Sequence, residues 1–135
     1  MTPACDDRAG REPVWRALSD LYLDAPVRPH LRAAAAALAP TRYSARELHA
    51  ILLDEVHPAV CANLCATAGV WDAFDMRWLA ETILAQQRKP RWLRARGHCT
   101  RRHAEFLWRL LAPRIARARA ASTRVAAPPF PTPSC

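Results

Sequence analysis

Cys61 and Cys65 stand four residues apart, and Cys99 and His103 repeat that spacing. Residues four apart share one face of a helix. Two such helices brought together would offer three thiolates and an imidazole, the ligand set of a tetrahedral zinc site. Structural zinc usually draws instead on a cysteine pair held by a tight turn. A cysteine in a helical stripe acts more often as a small hydrophobe. Packing is the simpler reading of these residues, and no metal or cofactor is expected.

Catalysis finds no better footing. A Cys–His nucleophile needs an oxyanion loop, and three widely scattered glycines do not supply one. Asp54 and Glu55 read as the solvated edge of a helix, and Asp75 as a helix N-cap. His30, His49, His57 and His98 are isolated and read as surface histidines. There is no phosphate-cradling glycine loop and no H-E-x-x-H pair. A non-enzymatic protein is expected.

The sharpest signal is the charge layout. Residues 1–87 carry eight basic and eleven acidic side chains, whereas residues 88–135 carry twelve basic and one acidic, Glu105. An acidic half beside a strongly basic one points to polyanion contact. Arg88, Lys89, Arg91, Arg94, Arg101, Arg102 and Arg109 are the polyanion-binding candidates, in a segment spanning 88–119. Trp92 lies between Arg91 and Arg94, where its ring could stack on an unpaired base. The competing reading is a basic face that keeps the protein in solution. Nineteen of the twenty basic residues are Arg, a bias that GC-rich codon usage accounts for without any partner.

The elements that must carry these residues are helical. At 135 residues the chain is long enough for one core, not two. Ala, Leu and Arg dominate, and these lose least on entering a helix. Residues 1–12 are polar and expected to fray. Pro13 suits a first helical turn. Val14, Trp15, Leu18, Leu21 and Tyr22 then recur on one face, until Asp24 and Pro26 end the pattern. Pro29 begins a second helix through five consecutive alanines to Pro40. Ser44 and Glu47 form a capping box, followed by the stripe Leu48, Ile51, Leu52 and Val56. Pro58 is expected to break or restart this helix, and Gly69 to close the next piece. Asp75 caps a helix with Met76, Leu79, Ala80, Ile83 and Leu84 on one face. The last helix starts at Thr100, presents Ala104, Leu107, Trp108, Leu111 and Ile115, and is expected to kink or split at Pro113.

Between these helices, residues 70–74 place two large aromatics in a connector. Buried, Trp71 and Phe74 would plug the end of a bundle, which is the commoner outcome. Exposed, they would form an interaction patch. Trp71, Asp72 and Phe74 are therefore the partner-binding candidates.

The residues Val14-Trp15-Arg16-Ala17-Leu18-Ser19-Asp20-Leu21-Tyr22-Leu23-Asp24, Tyr43-Ser44, Glu47-Leu48, Ile51-Leu52 and Glu55-Val56 form a pattern. It continues through Asn63-Leu64, Ala68-Gly69, Trp71, Phe74-Asp75 and Trp78-Leu79. From Val14 to Leu84 the chain resembles an uncharacterised family of small bacterial all-helical proteins, a domain of unknown function. The resemblance implies a shared helical fold and a bacterial origin, and brings no catalytic residues. The basic segment from Gly97 lies beyond it.

The expected architecture is all-α, a compact bundle of five or six short helices with a basic C-terminal helix. Its parts are a disordered N-terminus over 1–12, a helical core over 13–96, a basic helix packed on that core over 97–121, and a disordered Pro-rich tail over 122–135. No secretory segment and no apolar run of about 18 residues is seen. Five cysteines without a framework spacing suggest free thiols in the cytoplasm. Two functions are carried forward. The first is a small cytoplasmic protein acting through a protein partner, as regulators and toxin-immunity proteins do. The second is an RNA- or DNA-associated protein that binds phosphate through residues 88–119.

Overall fold

The computed structural model describes residues 1–23, 26–64, 74–90 and 101–126. No strand occurs among them. The helices are α1 Arg8–Ser19, α2 Val27–Leu38, α3 Ala45–Ile51, α4 His57–Leu64, α5 Met76–Arg88 and α6 Arg101–Ala126. A 3₁₀ turn, Asp20–Tyr22, extends α1. A π-helical turn, Leu52–Val56, joins α3 to α4 in one rod. The fold is the all-α bundle that composition and periodicity predict.

The apolar stripes meet in one core. Val14, Trp15, Leu18, Leu21 and Tyr22 from α1 and its 3₁₀ turn pack with Leu31, Ala34, Ala35 and Leu38 of α2. Leu48, Ile51, Leu52, Val56, Ala59 and Val60 come from the long rod, Leu79, Ala80 and Ile83 from α5, and Ala104, Leu107, Leu111 and Ile115 from α6. α6 lies along α2 and also touches the π turn, while α5 packs on α1 and α4. The caps follow the local chemistry. Ser44 Oγ accepts from the Glu47 N–H at 3.2 Å, and Glu47 Oε2 accepts from the Ser44 N–H at 2.8 Å. Asp75 Oδ1 accepts from the N–H groups of Arg77 and Trp78.

Three prolines behave differently from expectation. Pro13 lies inside α1 and does not open it. The helix begins at Arg8 because residues before it are held: Ala4 is buried, the Arg11 Nη2 donates to the Thr2 carbonyl at 2.8 Å, and Asp7 binds Tyr43 and Arg42. Gly10 is required where this cluster closes, since a Cβ there would meet Asp7 Oδ1 and Tyr43 Oη at 2.7 Å. Most of residues 1–12, expected to be disordered, is thus held by helix and contacts.

Pro58 does not break the rod. It has no N–H for the Asp54 carbonyl, and its ring crowds that position. The chain widens by a π turn just upstream, with the His57 N–H bonded to the Leu52 carbonyl. Pro113 likewise sits within an unbroken α6. Its missing N–H costs about 3 kcal/mol in an isolated helix. The stripe Leu107, Leu111 and Ile115 straddles the proline and buries on the bundle, which outweighs that loss. α6 also runs to Ala126, past Ser122, where a disordered tail is expected; residues 127–135 lie outside the described set.

Among the described residues no helix is long and apolar enough to cross a membrane.

Candidate nucleic-acid interface

One side of α6 is fixed by what it docks against. Ala104, Leu107, Leu111 and Ile115 are buried. Trp108 stacks on the His49 ring at 4.8 Å between centroids, and Glu105 Oε2 is 3.1 Å from His49 Nε2. Arg101 Nη2 pairs with Asp54 Oδ1 at 3.0 Å. Near the other end, Arg119 donates from Nε to the Ala39 carbonyl at 3.1 Å and from Nη2 to the Tyr43 carbonyl at 2.6 Å. The Ala39 carbonyl is at the C-cap of α2 and the Tyr43 carbonyl just precedes the Ser44 N-cap of α3, so Arg119 caps α2 and clamps α6 to the connection between α2 and α3. The rotation of α6 about its own axis is thereby set.

The opposite side faces water. Arg102, Phe106, Arg109, Pro113, Arg117, Ala120 and Arg124 recur at i, i+4, i+7, i+11, i+15, i+18 and i+22, and every one is exposed. That series is a straight stripe on a helix of 3.6 residues per turn. Among the described residues its four arginine side chains make no ion pair or hydrogen bond. At 1.5 Å rise per residue they are spaced about 11 Å apart along a line of about 33 Å. Among them stands Phe106, 56% exposed, an aromatic ring raised from the surface between two guanidinium groups. Residues 120–125 are all exposed as well, so the last turns of α6 stand clear of the bundle.

Of the seven polyanion candidates read from sequence, the structure puts two, Arg102 and Arg109, on this stripe. Arg101 is committed to Asp54. Arg88 and Lys89 are exposed at the C-terminus of α5, on a different helix. Arg91, Arg94 and Trp92 lie outside the described residues. Arg117, Arg124 and Phe106 complete the stripe and were missed, because a helix split at Pro113 and a tail from Ser122 leave no single face to carry them. Of the partner candidates, Trp71 and Asp72 lie outside the described residues. Phe74 is buried, its ring stacked beside Trp78 at 6.4 Å between centroids, so it is not an outward anchor.

Two further polar arrangements were not foreseen. The first is internal. Glu55, expected at a solvated edge, is 5% exposed and joins the core stripe seven residues after Leu48. Its Oε1 accepts from Arg11 Nη1 at 2.8 Å and its Oε2 from Trp15 Nε1 at 2.7 Å. Beside it, Tyr22 Oη and His57 Nδ1 share a hydrogen bond of 3.0 Å, and the His103 ring stands edge-on to Tyr22 at 5.6 Å. His57 is buried, against its reading as a surface histidine. Burial drives the Glu55 carboxyl above its ordinary value, opposed by the Trp15 and Arg11 hydrogen bonds. Burial also drives the Tyr22 hydroxyl far above the usual tyrosine range. Glu55, Arg11, Trp15, Tyr22 and His57 are all buried, and their hydrogen bonds fasten α1 and its 3₁₀ turn to the rod.

The second is a groove of about 540 Å³ between α1 and α2, floored by Ala17, Ala33, Ala34 and Ala37. The alanine run builds a slot because its side chains are too short to fill the space between the helices. Glu12, Arg16, Asp20 and His30 rim it. Glu12 is held by Arg8 Nε at 2.7 Å. Half-burial raises the Asp20 carboxyl, with His30 and Arg16 pulling the other way. The rim carries both signs, two carboxylates and one arginine besides His30, so the groove lacks the single positive sign of the α6 stripe.

Among the described residues no three His, Cys, Asp or Glu side chains converge as a metal site. Cys65 and Cys99 of the sequence-level zinc arrangement lie outside them. Cys5 is an exposed free thiol, but Cys61 is disulfide-bonded, which corrects the expectation of free thiols at that position.

The chain belongs to a family described as a domain of unknown function (DUF7079), whose model matches residues 9–121. The match runs well beyond Leu84, so most of α6 belongs to the family domain and is not an appendage to it. No curated protein and no solved structure matches the chain.

Proposed function

We propose that this protein is a non-enzymatic nucleic-acid-binding protein that holds phosphates along the exposed face of α6. The observation that carries the reading is the stripe of four uncommitted arginines, Arg102, Arg109, Arg117 and Arg124, on one face of one helix. Arginine forks match phosphate oxygens, and a line of them suits a polymer of regularly repeated charge. A protein partner gripped through the 70–74 connector would need Phe74 outward, and it is buried. The α6 face also lacks the clustered apolar core that a protein interface builds on. Such a protein would work in a bacterial cytoplasm, where nucleic acid is at hand.

The test is a salt titration of binding to a short RNA. Four phosphate contacts give a log–log slope of roughly 3, at about 0.7 per contact for a single strand and 0.9 for duplex DNA. Replacing Arg102, Arg109 and Arg117 by Gln should cut that slope to about 1 and leave the fold intact, since none of the three makes an internal contact. Absence of binding at low salt, or a variant that binds as well as the parent, refutes the proposal.

A further inference from the structure

We infer that the nucleic acid taken by α6 is single-stranded, and that one unpaired base stacks on Phe106 between Arg102 and Arg109. The inference rests on the nucleic-acid reading above and adds the form of the ligand and the residue that selects it.

Phe106 has no structural task that its exposure would explain. It stands 56% exposed, while the core side of α6 is already filled by Ala104, Leu107, Leu111 and Ile115. Its helical neighbours at i−4 and i+3 are Arg102 and Arg109, within about 6 Å between Cβ atoms. Any ligand reaching the ring must therefore tolerate two guanidinium groups beside it. A second copy of this chain docked through the same face would oppose four arginines to four, and like charges at contact distance repel. An anion with a flat apolar face meets no such penalty.

The shape of the site then decides between nucleic-acid forms. In a duplex the base faces are stacked on one another and only their edges reach the grooves. A ring on a convex helix could reach a base face only by wedging the stack open, which costs unstacking energy. A single strand offers base faces already free, and stacking on an aromatic is the common way proteins take them. Phenylalanine has no hydrogen-bonding group, so it accepts any base by its π-face. Arg102 and Arg109, on either side, are placed to hold the phosphates flanking the stacked nucleotide. His103, three residues before Phe106, has its ring against Tyr22, which leaves Phe106 as the aromatic platform of this stripe.

The experiment compares wild type, Phe106→Ala, Phe106→Trp and Arg102→Gln/Arg109→Gln. Each is titrated with a fluorescent unstructured RNA of about twelve nucleotides, with a duplex of the same length, and with poly-glutamate, at several salt concentrations. Circular dichroism checks the folds, which a surface substitution should leave unchanged. The inference predicts tighter binding to the single strand than to the duplex. Phe106→Ala should weaken single-strand binding roughly 5- to 150-fold, the span of one base–aromatic stack, without changing the salt slope. Phe106→Trp should restore it. The double arginine variant should lower the slope by about 1.4. Equal affinity for both forms with no effect of Phe106→Ala overturns this inference and leaves the phosphate reading standing. No binding to either nucleic acid, or binding to poly-glutamate alone, overturns both.

Discussion

Replacing Glu55 by Gln should destabilise the protein more than removing the arginine it pairs with. Glu55 Oε1 lies 2.8 Å from Arg11 Nη1, Oε2 lies 2.7 Å from Trp15 Nε1, and Arg11 and Trp15 are both 0% exposed. Glutamine keeps one acceptor and turns the other into a donor. Whichever way its amide settles, one of two buried N–H donors faces an NH₂. The larger loss is the ion pair. Arg11 then keeps the Thr2 carbonyl at 2.8 Å, Asp7 at 3.8 Å and the face of the Tyr43 ring at 5.1 Å, none of them a close carboxylate. A guanidinium cannot shed its proton to escape the core. Removing one partner of a buried pair costs about 3–5 kcal/mol. For a domain of this size that lowers the melting temperature by roughly 10–20 °C.

Arg11→Met leaves the opposite residue alone, and the outcome differs. The Glu55 carboxyl already sits above its ordinary value because of burial, and it can neutralise by taking a proton. The sign follows from linkage. A carboxyl whose folded pKa exceeds its unfolded value binds more protons when folded, so stability falls as pH rises from the unfolded pKa through the folded one. Losing Arg11 raises the folded value further, so Arg11→Met should become relatively more stable on acidification across that window. Glu55→Gln should lose this component of the pH dependence. Urea unfolding at several pH values between 4 and 8 measures both. A cost below about 1 kcal/mol for Glu55→Gln, or identical pH profiles for the two variants, would refute a buried pair linking α1 to the rod.

Two other changes probe α6. Arg119→Met removes the donors to the Ala39 and Tyr43 carbonyls and should cost about 1–3 kcal/mol, with faster amide exchange over the C-terminal turns; unchanged exchange there would show that the clamp is idle. Pro113→Ala restores the N–H missing from an unbroken helix and should stabilise by about 1–3 kcal/mol; a loss of stability on thermal melting would mean that the exposed proline ring makes a stabilising contact.

Much of the fold was legible because it rests on local pattern. The Ser44–Glu47 box, the Asp75 cap and the stripes through Trp15, Ile51, Ile83 and Leu107 are all readable from residue type and spacing, and all are present. What was not legible was tertiary override. Pro58 and Pro113 carry a local penalty that says stop, and only packing of the stripes on either side says continue. Glu55 illustrates a second gap. Its spacing from Leu48 placed it on the buried face, yet its charge argued for water. The deciding facts were Arg11 and Trp15, forty or more residues away, which no local pattern links to it.

The same distinction governs the candidate site. Twelve basic residues over 88–135 suggest a broad electrostatic field, and counting them would predict a salt slope near 8 for a single strand. The fold withdraws several from that count. Arg101 is tied to Asp54, Arg114 donates to the Leu110 carbonyl and Arg119 holds the end of α2. Each lies off the exposed stripe and has a carboxylate or carbonyl acceptor within reach. Those left on the stripe are the ones whose phase points at water. A measured slope near 3 that falls in steps of about 0.7 as Arg102, Arg109, Arg117 and Arg124 are removed one by one would identify binding with this face. A slope that does not fall as those four are removed would mean that the contacts lie on other basic residues and that the exposed face of α6 plays no part.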